Sequence, residues 1–310
     1  MIKKWVLKAI VQKTISFLPY KNSINYFFQK YITKGVELND LHFENKIICA
    51  KDHTDHLLKH KIENNATCFE LGTGWYPVVP LSFYLIGAKQ IFTIDLNAHL
   101  TKITLLKTFE KYFEWKKNGK LLSYLSQIND ERWQQLEQLY VRRNELDLKQ
   151  LLSKLNIVSI VGDARRTDLL RNSIDFICSN NTFEHIYPDI LENILVEFKR
   201  IIKPNGLMSH FIDMSDHFAH FDNSISVYNF LKFTERQWTL IDNSIQPQNR
   251  MRLCQYQKMY KQLEIPFNTN LIRPGDLNVI SKIAVKAPYN TYNIKELAIS
   301  HGYMLTNFSN

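Results

Sequence analysis

Cysteine is scarce in this sequence, with four residues in a chain of 310. They are widely separated, and none lies in a Cys-x-x-Cys pair or near a histidine at a spacing typical of zinc sites. Two of them stand in apolar stretches, where a free thiol behaves as a small hydrophobic side chain. The pattern excludes a disulfide-rich domain, and we expect a reducing, cytoplasmic environment. The four are Cys49, Cys68, Cys178 and Cys254.

Long apolar runs are also absent. The longest uncharged one, residues 78–88, is far shorter than the roughly 20 residues that a helix needs to cross a bilayer. Residues 1–19 resemble a signal peptide only briefly, because Lys8 and Lys13 interrupt the apolar run and no small-residue cleavage site follows. The sequence therefore predicts that the chain does not cross a membrane.

Charge is moderate, and its excess is positive. Charged residues make up 22% and hydrophobic residues 45%, close to the average of soluble globular proteins, which excludes a disordered or collagen-like chain. The net charge of +9 leaves an acidic substrate, a membrane surface or a nucleic acid open as a partner. No recognised RNA-binding module is present, so we do not expect a nucleic-acid partner.

The first 36 residues contain seven lysines and no acidic residue. Apolar residues recur between the lysines at helical spacing, which predicts a basic amphipathic helix that ends near Pro19. It either packs on the side of a domain with its lysines in solvent, or attaches weakly to an anionic membrane surface, such as the inner membrane face. We assign residues 1–62 to an N-terminal helical extension.

Short apolar runs alternate with helix-like segments from residue 67 onward. This alternation predicts a doubly wound α/β domain with a mostly parallel sheet, over residues 63–310. Residues 99–156 form a crossover much longer than such a unit needs and predict an insertion of two or three helices. Residues 214–248 predict a second insertion, a lid or substrate-binding element. The predicted strands are Thr67–Leu71, Gln90–Asp95, Ile157–Val161, Ile174–Ser179 and Gly206–Asp213.

A glycine turn directly follows the first predicted strand. Gly72 and Gly74 would let the backbone approach a ligand closely and place the following N–H groups beside it. Asp95 ends the next strand, where a carboxylate can accept both hydroxyls of a ribose. A plain tight turn and a helix-capping aspartate are the structural alternatives. These features alone also fit a nicotinamide enzyme.

Three details argue against a dinucleotide. Pro77 replaces the third glycine of the dinucleotide fingerprint. Glu70 stands two residues before the first glycine, where it could hold a cationic amino group. After the third strand, Asp163 and Ala164 form a second acidic turn that could accept from an adenine amine, although Asp163 could instead pair with Arg165 or Arg166.

These motifs, in this order and followed by Phe183-Glu184-His185-Ile186, resemble the class I S-adenosylmethionine-dependent methyltransferases. The resemblance is greatest to the small-molecule group with Glu-His after strand four, including a bacterial uncharacterised subgroup. It implies a seven-stranded Rossmann-like sheet, S-adenosylmethionine as cofactor and S-adenosylhomocysteine as product. The implied cofactor residues are Glu70 for the amino group, Gly72, Gly74 and Asn180 for the methionine part, Asp95 for the ribose, and Asp163 and Ala164 for adenine. Glu184 and His185 often support the loop in this group.

The acceptor side follows the fifth strand. His217 is the candidate base, because imidazole titrates closest to neutral pH, and Asp213 and Asp216 could orient it. A histidine held in a loop network is the alternative. Arg250 and Arg252, near a predicted helix start, could hold a phosphate or carboxylate of the acceptor or could be surface charges.

The residues favour methyl transfer to a hydroxyl of a small molecule or saccharide. Asn180-Asn181-Thr182 is not the Asp/Asn-Pro-Pro-aromatic turn of DNA amino-methyltransferases, and Cys178 lies within a strand, unlike a cytosine-C5 nucleophile. Only Asp213 and Asp216 could supply a carboxylate metal site, so no metal is predicted. N- or C-methylation and a catalytically silent cofactor-binding module remain open alternatives.

Overall fold

The computed structural model describes residues 3–19, 21, 24, 37–60 and 65–309. Within them lies a sheet with strand order β3-β2-β1-β4-β5-β7-β6. Strand β1 pairs in parallel with β2 and β4, β2 pairs in parallel with β3, and β6 pairs antiparallel with β7. This confirms the predicted seven-stranded, mostly parallel sheet. The strands are β1 Thr67–Leu71, β2 Gln90–Asp95, β3 Ile157–Val161, β4 Ile174–Asn180, β5 Ile202–Asp213, β6 Asn268–Arg273 and β7 His301–Asn307.

Helices connect the strands. Residues 99–156, predicted to hold two or three inserted helices, contain α4, α5 and α6. The helices are α1 Lys4–Ser16, α2 Asp40–Lys59, α3 Val78–Leu85, α4 Lys102–Lys117, α5 Asp130–Val141, α6 Leu148–Lys154, α7 Pro188–Ile201, α8 Glu235–Ile241, α9 Leu253–Gln262, α10 Leu277–Ile280 and α11 Ile294–Ala298. No helix within the described ranges is both long enough and apolar enough to span a membrane.

The chain divides into two compact units. Unit I comprises Val36–Asn180, Asn193–His210 and Thr306–Asn310, and unit II comprises Met1–Gly35, Asn181–Glu192 and Phe211–Leu305. The predicted division at residue 62 does not coincide with a boundary between these units. Residues 61–64, which include that division, lie outside the described residues.

The core of unit I is built on the central strands. Four of the five residues of β1 are buried, as expected for a parallel strand covered on both faces. Helix α3 has all eight residues buried, which its almost uniformly apolar sequence favours. Thr101 caps α4 through a reciprocal pair of hydrogen bonds with Thr104, which fixes where the first inserted helix begins.

Helix α1 packs within unit II through Ala9, Gln12 and Ile15. Lys3 and Lys4 are exposed, as one interpretation of the sequence predicts, whereas Lys8 is half-buried beside the rings of Phe218 and Phe221 and Lys13 donates hydrogen bonds to two backbone carbonyls. The cost of removing the Lys8 ammonium from water lowers its pKa. The helix is therefore part of the unit's packing.

Candidate functional site

The glycine turn after β1 has the backbone that the sequence predicts. Gly72 and Gly74 have φ of +88° and +59°, conformations that side-chain-bearing residues rarely adopt. The N–H of Gly72 donates to the carbonyl of Ile94 at 2.8 Å, and that of Gly74 donates to the Asp95 carboxylate at 3.0 Å. The turn is thereby tied to the end of β2.

Asp95 lies at the centre of this turn. Its carboxylate also accepts from the N–H of Asn97 at 3.1 Å, and the His99 Nε2 atom lies 4.0 Å away. The Asp95 side chain keeps 20% of its surface exposed. The indole of Trp75 lies over the His99 ring with 4.4 Å between centroids. Asp95 thus fixes the glycine turn and still presents carboxylate surface to solvent.

Glu70 is buried at the end of β1, where its carboxylate accepts from the Thr93 hydroxyl at 2.9 Å. Burial raises the pKa of Glu70 to about 8, and the nearby Asp95 adds to the rise, while the Thr93 hydrogen bond and Lys46 oppose it. At neutral pH the group is therefore largely protonated.

The second acidic turn differs from the predicted adenine site. The guanidinium of Arg165 holds both carboxylate oxygens of Asp163, with nitrogen-to-oxygen distances of 2.5–3.0 Å, and these hydrogen bonds lower the pKa of Asp163. Ala164 is buried. Asp163 thus adopts the pairing with Arg165 that the sequence left open, and its role toward adenine stays a prediction.

Asn180 has a partner that sequence reasoning missed. The His53 Nε2 atom donates to the Asn180 side-chain oxygen at 3.0 Å, and its Nδ1 lies 2.8 Å from the Ser209 hydroxyl. Burial lowers the pKa of His53 to about 3, so the ring is neutral and its single N–H orients Asn180. Nothing in the local sequence of α2 indicates this contact, because it joins residues 127 positions apart.

A second cluster lies in unit II around Asp213. Its carboxylate oxygens lie 3.5 Å from His217 Nε2, 3.3 Å from His301 Nε2 and 3.8 Å from His220 Nε2. Burial alone would raise the pKa of Asp213, but hydrogen bonds from His217 and His301 hold it well below its usual range. The predicted pairing of Asp213 with His217 is therefore present in the structure.

Glu184 and His185 join His217 in this unit. One potential ligand atom from each of the three side chains lies within 4.8 Å of the others. Burial raises the pKa of Glu184, and the Asp213 charge adds to the rise; burial and the neighbouring His217 lower the pKa of His185 to about 4. The sequence shows the Glu-His pair as a motif but does not show that His217 lies beside it.

Residues 247–249 hold the two turns that carry this cluster. The Pro247 carbonyl accepts from His185 Nδ1 at 2.7 Å, and Asn249 donates its side-chain amide to the carbonyls on either side of Glu184 and His185. Gln248 donates to the Ser215 carbonyl and accepts from the backbone N–H of His217 at 3.4 Å. The cluster is therefore positioned by one short segment.

Three predicted acceptor residues are corrected by the structure. Asp216 is fully buried, and its carboxylate accepts from the backbone N–H of Phe218 and from the side-chain amide of Asn229. It therefore does not face an acceptor. Burial raises the pKa of Asp216 to about 6. Arg250 is 2% exposed, donates to two carbonyls and pairs with Glu235. A phosphate or carboxylate therefore cannot reach it without displacing protein partners.

Arg252 is likewise a structural residue. It is fully buried, and its guanidinium donates to the backbone carbonyls of Met214, Leu297 and Ile299. Desolvation lowers its pKa to about 10, which leaves it charged at neutral pH. The sequence could not show whether Arg252 is a buried structural arginine or an arginine that binds an anion, because either would be an arginine near a helix start.

Comparison with known proteins gives one family match, over part of the chain. Residues 119–209 match the family model described as a methyltransferase domain. No curated protein matches. Among solved structures, geranyl diphosphate C-methyltransferase from Streptomyces coelicolor is 10% identical, with 88% of this chain and 85% of that chain covered and a TM-score of 0.45. Phosphoethanolamine N-methyltransferase 2 from Haemonchus contortus is 12% identical, with 90% and 59% covered and a TM-score of 0.46.

Residues 119–209 match a methyltransferase domain, and the seven-stranded sheet agrees with the resemblance to class I methyltransferases that the ordered motifs carry. Both observations support S-adenosylmethionine as the cofactor. The turn fits that cofactor: a Cβ built on Gly74 would meet no atom within 4 Å, so the backbone is open to a ligand. It stays a prediction that Gly72 and Gly74 lie against the methionine part, that Asp95 binds the ribose and that Glu70 lies near the amino group.

Proposed function

We propose that the protein transfers the methyl group of S-adenosylmethionine to a hydroxyl of a small molecule or saccharide. The observation that carries this proposal is the cluster of His217, Asp213, Glu184 and His185 at the turns that follow β4 and β5. Ligands of open α/β sheets bind at the carboxyl ends of strands. Imidazole and carboxylate groups there can position a hydroxyl and accept its proton.

The cofactor supplies a methyl group activated by a positive sulfur. In the proposed reaction, the acceptor oxygen forms a bond to the methyl carbon while the carbon–sulfur bond breaks. The bonding pair stays on sulfur, which becomes the neutral thioether of S-adenosylhomocysteine, and the hydroxyl proton leaves the acceptor. Holding the acceptor oxygen in line with the methyl group supplies a large part of the rate enhancement. In this proposal His217 accepts the proton as the base, and Asp213 orients the imidazole ring.

An acceptor screen tests this proposal. The protein is incubated with methyl-labelled S-adenosylmethionine and separate pools of hydroxylated metabolites and sugars, amines, and compounds with acidic C–H bonds. We expect label in methyl ethers, identified by mass spectrometry. Label confined to amines or to carbon would replace O-methylation by the N- or C-methylation alternative. Tight cofactor binding without transfer to any pool would favour a catalytically silent module.

The raised pKa of Glu70 gives a pH-dependent prediction. A bound cationic amino group favours the ionised carboxylate, so we expect binding of S-adenosylhomocysteine to release close to one proton at neutral pH. Since protonated Glu70 must lose its proton first, affinity should rise by up to about tenfold per pH unit below about pH 8 and level off above it.

Calorimetry in buffers of different ionisation enthalpy measures this proton release. Glu70→Gln is the matched control, because it keeps the side-chain shape and has no titrating proton. We expect the variant to bind with little pH dependence and no proton release. Equal proton release by the wild type and the variant would remove Glu70 from the amino-group site.

We also propose that α1 attaches the protein weakly to anionic membranes. Leu7 and Ile10 are 58% and 54% exposed and lie three positions apart on α1, and Phe17, which follows the helix, is 77% exposed. Lys3 and Lys4, at the start of the helix, are exposed as well. Apolar insertion and lysine attraction would act together there. Other lysines of the predicted basic segment, Lys30 and Lys34, lie outside the described residues.

Vesicle sedimentation tests this attachment. We expect co-sedimentation with vesicles containing phosphatidylserine, little with purely neutral vesicles, and a loss in the double variant Leu7→Gln, Ile10→Gln. Leu122→Gln is the control, because Leu122 is 61% exposed in the helical insertion. Equal sedimentation of both variants with the wild type would show that α1 is not the attachment surface.

A further inference from the structure

The side chains of Glu184, His185 and His217, here called the Glu-His-His cluster, come from two turns of unit II. Glu184 and His185 lie on the 3-10 turn that follows β4, and His217 begins the turn that follows β5. The His185 and His217 rings meet edge to face with 4.9 Å between centroids. One nitrogen from each ring and one Glu184 oxygen are close enough together to contact a single metal ion.

Glu184 has an unsatisfied carboxyl group in this cluster. The residue is 2% exposed, and neither side-chain oxygen receives a hydrogen bond of ordinary geometry from any residue in the described part of the chain. The backbone N–H groups of Glu184 and Asp213 lower the pKa of this carboxyl group, each by less than burial raises it. A buried carboxylate without a partner is costly, and a protonated one needs an acceptor for its O–H group. A cation bound to Glu184 would remove this cost.

The two imidazoles are each oriented through one ring nitrogen. His185 donates its Nδ1–H to the Pro247 carbonyl at 2.7 Å, which leaves the Nε2 lone pair available. His217 has its Nε2 atom 3.5 Å from the Asp213 carboxylate, which leaves Nδ1. Metal-binding histidines characteristically donate their other ring N–H to a carbonyl or a carboxylate, and both arrangements are present here.

We propose that Glu184, His185 and His217 bind one divalent transition-metal ion. Two imidazoles and one carboxylate suit Zn²⁺, Mn²⁺ or Fe²⁺, whereas Mg²⁺ and Ca²⁺ prefer ligand sets made of oxygen. The anchoring of both turns by residues 247–249 keeps the three groups together before the ion arrives. The proposed site differs from the sequence prediction that no metal is bound.

Three protein ligands leave coordination positions for water or for an oxygen of the acceptor. An acceptor hydroxyl at such a position would lose its proton more readily, because the ion stabilises the negative oxygen. In this arrangement His217 is a ligand rather than the base that the sequence predicts. This role in the reaction rests on the proposed function, whereas metal binding itself does not.

Calorimetric titration of the metal-free protein with Zn²⁺ and Mn²⁺ tests the site, with Mg²⁺ as the comparison. We expect one Zn²⁺ per chain, clearly weaker Mg²⁺ binding, and a loss of Zn²⁺ affinity of about 100-fold or more in Glu184→Gln and in His217→Gln. His220→Gln is the matched control, because His220 stacks on His217 with 5.5 Å between centroids and is not one of the three ligands. We expect it to bind Zn²⁺ as the wild type does.

Absence of Zn²⁺ and Mn²⁺ binding by the wild type would overturn the proposal, as would equal Zn²⁺ affinity in the wild type and both ligand variants. Circular dichroism establishes that each variant is folded. If one of the two ligand variants does not fold, the Zn²⁺ affinity of the other variant tests the site. X-ray absorption of the Zn²⁺ complex provides a further test, since mixed nitrogen and oxygen ligation is expected and ligation by oxygen alone would contradict the site.

Binding of S-adenosylhomocysteine is measured on the same preparations. Protein that binds Zn²⁺ through these residues but does not bind S-adenosylhomocysteine would contradict the proposed function and leave the metal site intact. Protein that binds S-adenosylhomocysteine but neither metal ion would overturn the metal site alone. The two proposals therefore fail separately.

Discussion

Asp95→Ala is expected to weaken S-adenosylhomocysteine binding by about 100-fold or more. The variant loses the two hydrogen bonds that the carboxylate would accept from a ribose, each worth about 1.5–3 kcal/mol when one partner is charged. It also releases the N–H of Gly74, which donates to Asp95 at 3.0 Å, so the glycine turn loses a tether to β2. Isothermal titration calorimetry of both proteins measures the difference.

Asp147→Ala is the matched control. Asp147 also accepts from a backbone N–H, that of Gln150 at 2.7 Å, but it caps α6 away from the glycine turn. Its removal should cost about 1 kcal/mol of stability, as for a lost helix cap, and leave cofactor affinity unchanged. If Asp95→Ala binds S-adenosylhomocysteine as tightly as Asp147→Ala does, Asp95 is a capping residue and the glycine turn needs another explanation.

Arg252→Met is expected to lower the free energy of unfolding by about 3–5 kcal/mol. The guanidinium is fully buried and donates to the carbonyls of Met214, Leu297 and Ile299, which would be left without that donor. Urea denaturation followed by circular dichroism and tryptophan fluorescence measures the change. Arg252→Lys should also destabilise, because one ammonium does not reproduce the planar guanidinium.

An exposed arginine provides the comparison for this result. Arg142 pairs with Glu145 on the surface, with 58% of its side chain exposed, and Arg142→Met should change stability by less than about 0.5 kcal/mol. If Arg252→Met were equally mild and instead abolished methyl transfer, Arg252 would return to the acceptor site that the sequence suggested.

The central sheet could be predicted closely from the sequence. The first three strands agree residue for residue, because each is a short apolar run bounded by turn or polar residues. Burial explains such a run in β1, whereas β3 is mostly exposed and its β-branched residues carry the signal. Strands β6 and β7 could not be placed in the same way. All six residues of β6 are exposed, so its sequence carries no signal of burial.

The cofactor turn could be predicted because its residues are close in sequence or at the ends of consecutive strands. The partners of Asn180 and Glu184 could not be predicted in this way. His53 reaches Asn180, and His217 reaches Glu184, only when the chain has folded. The partners of Arg250 could not be predicted for a related reason. A charged residue type does not reveal whether its partner is a ligand or the protein's own backbone, and the structure supplies the backbone carbonyls.

The segment 247–249 also bears on how the acceptor range of this enzyme could be redesigned. Because these three residues anchor the turns after both β4 and β5, the chain from Phe221 to Gln246 is joined to the cluster at fixed ends. We expect grafts that change the sequence within this stretch to retain the cluster, provided that the packing of α8 is kept. Substitution of Asn249 would release the turn after β4, and substitution of Gln248 would release the turn after β5, so acceptor libraries should hold both residues constant.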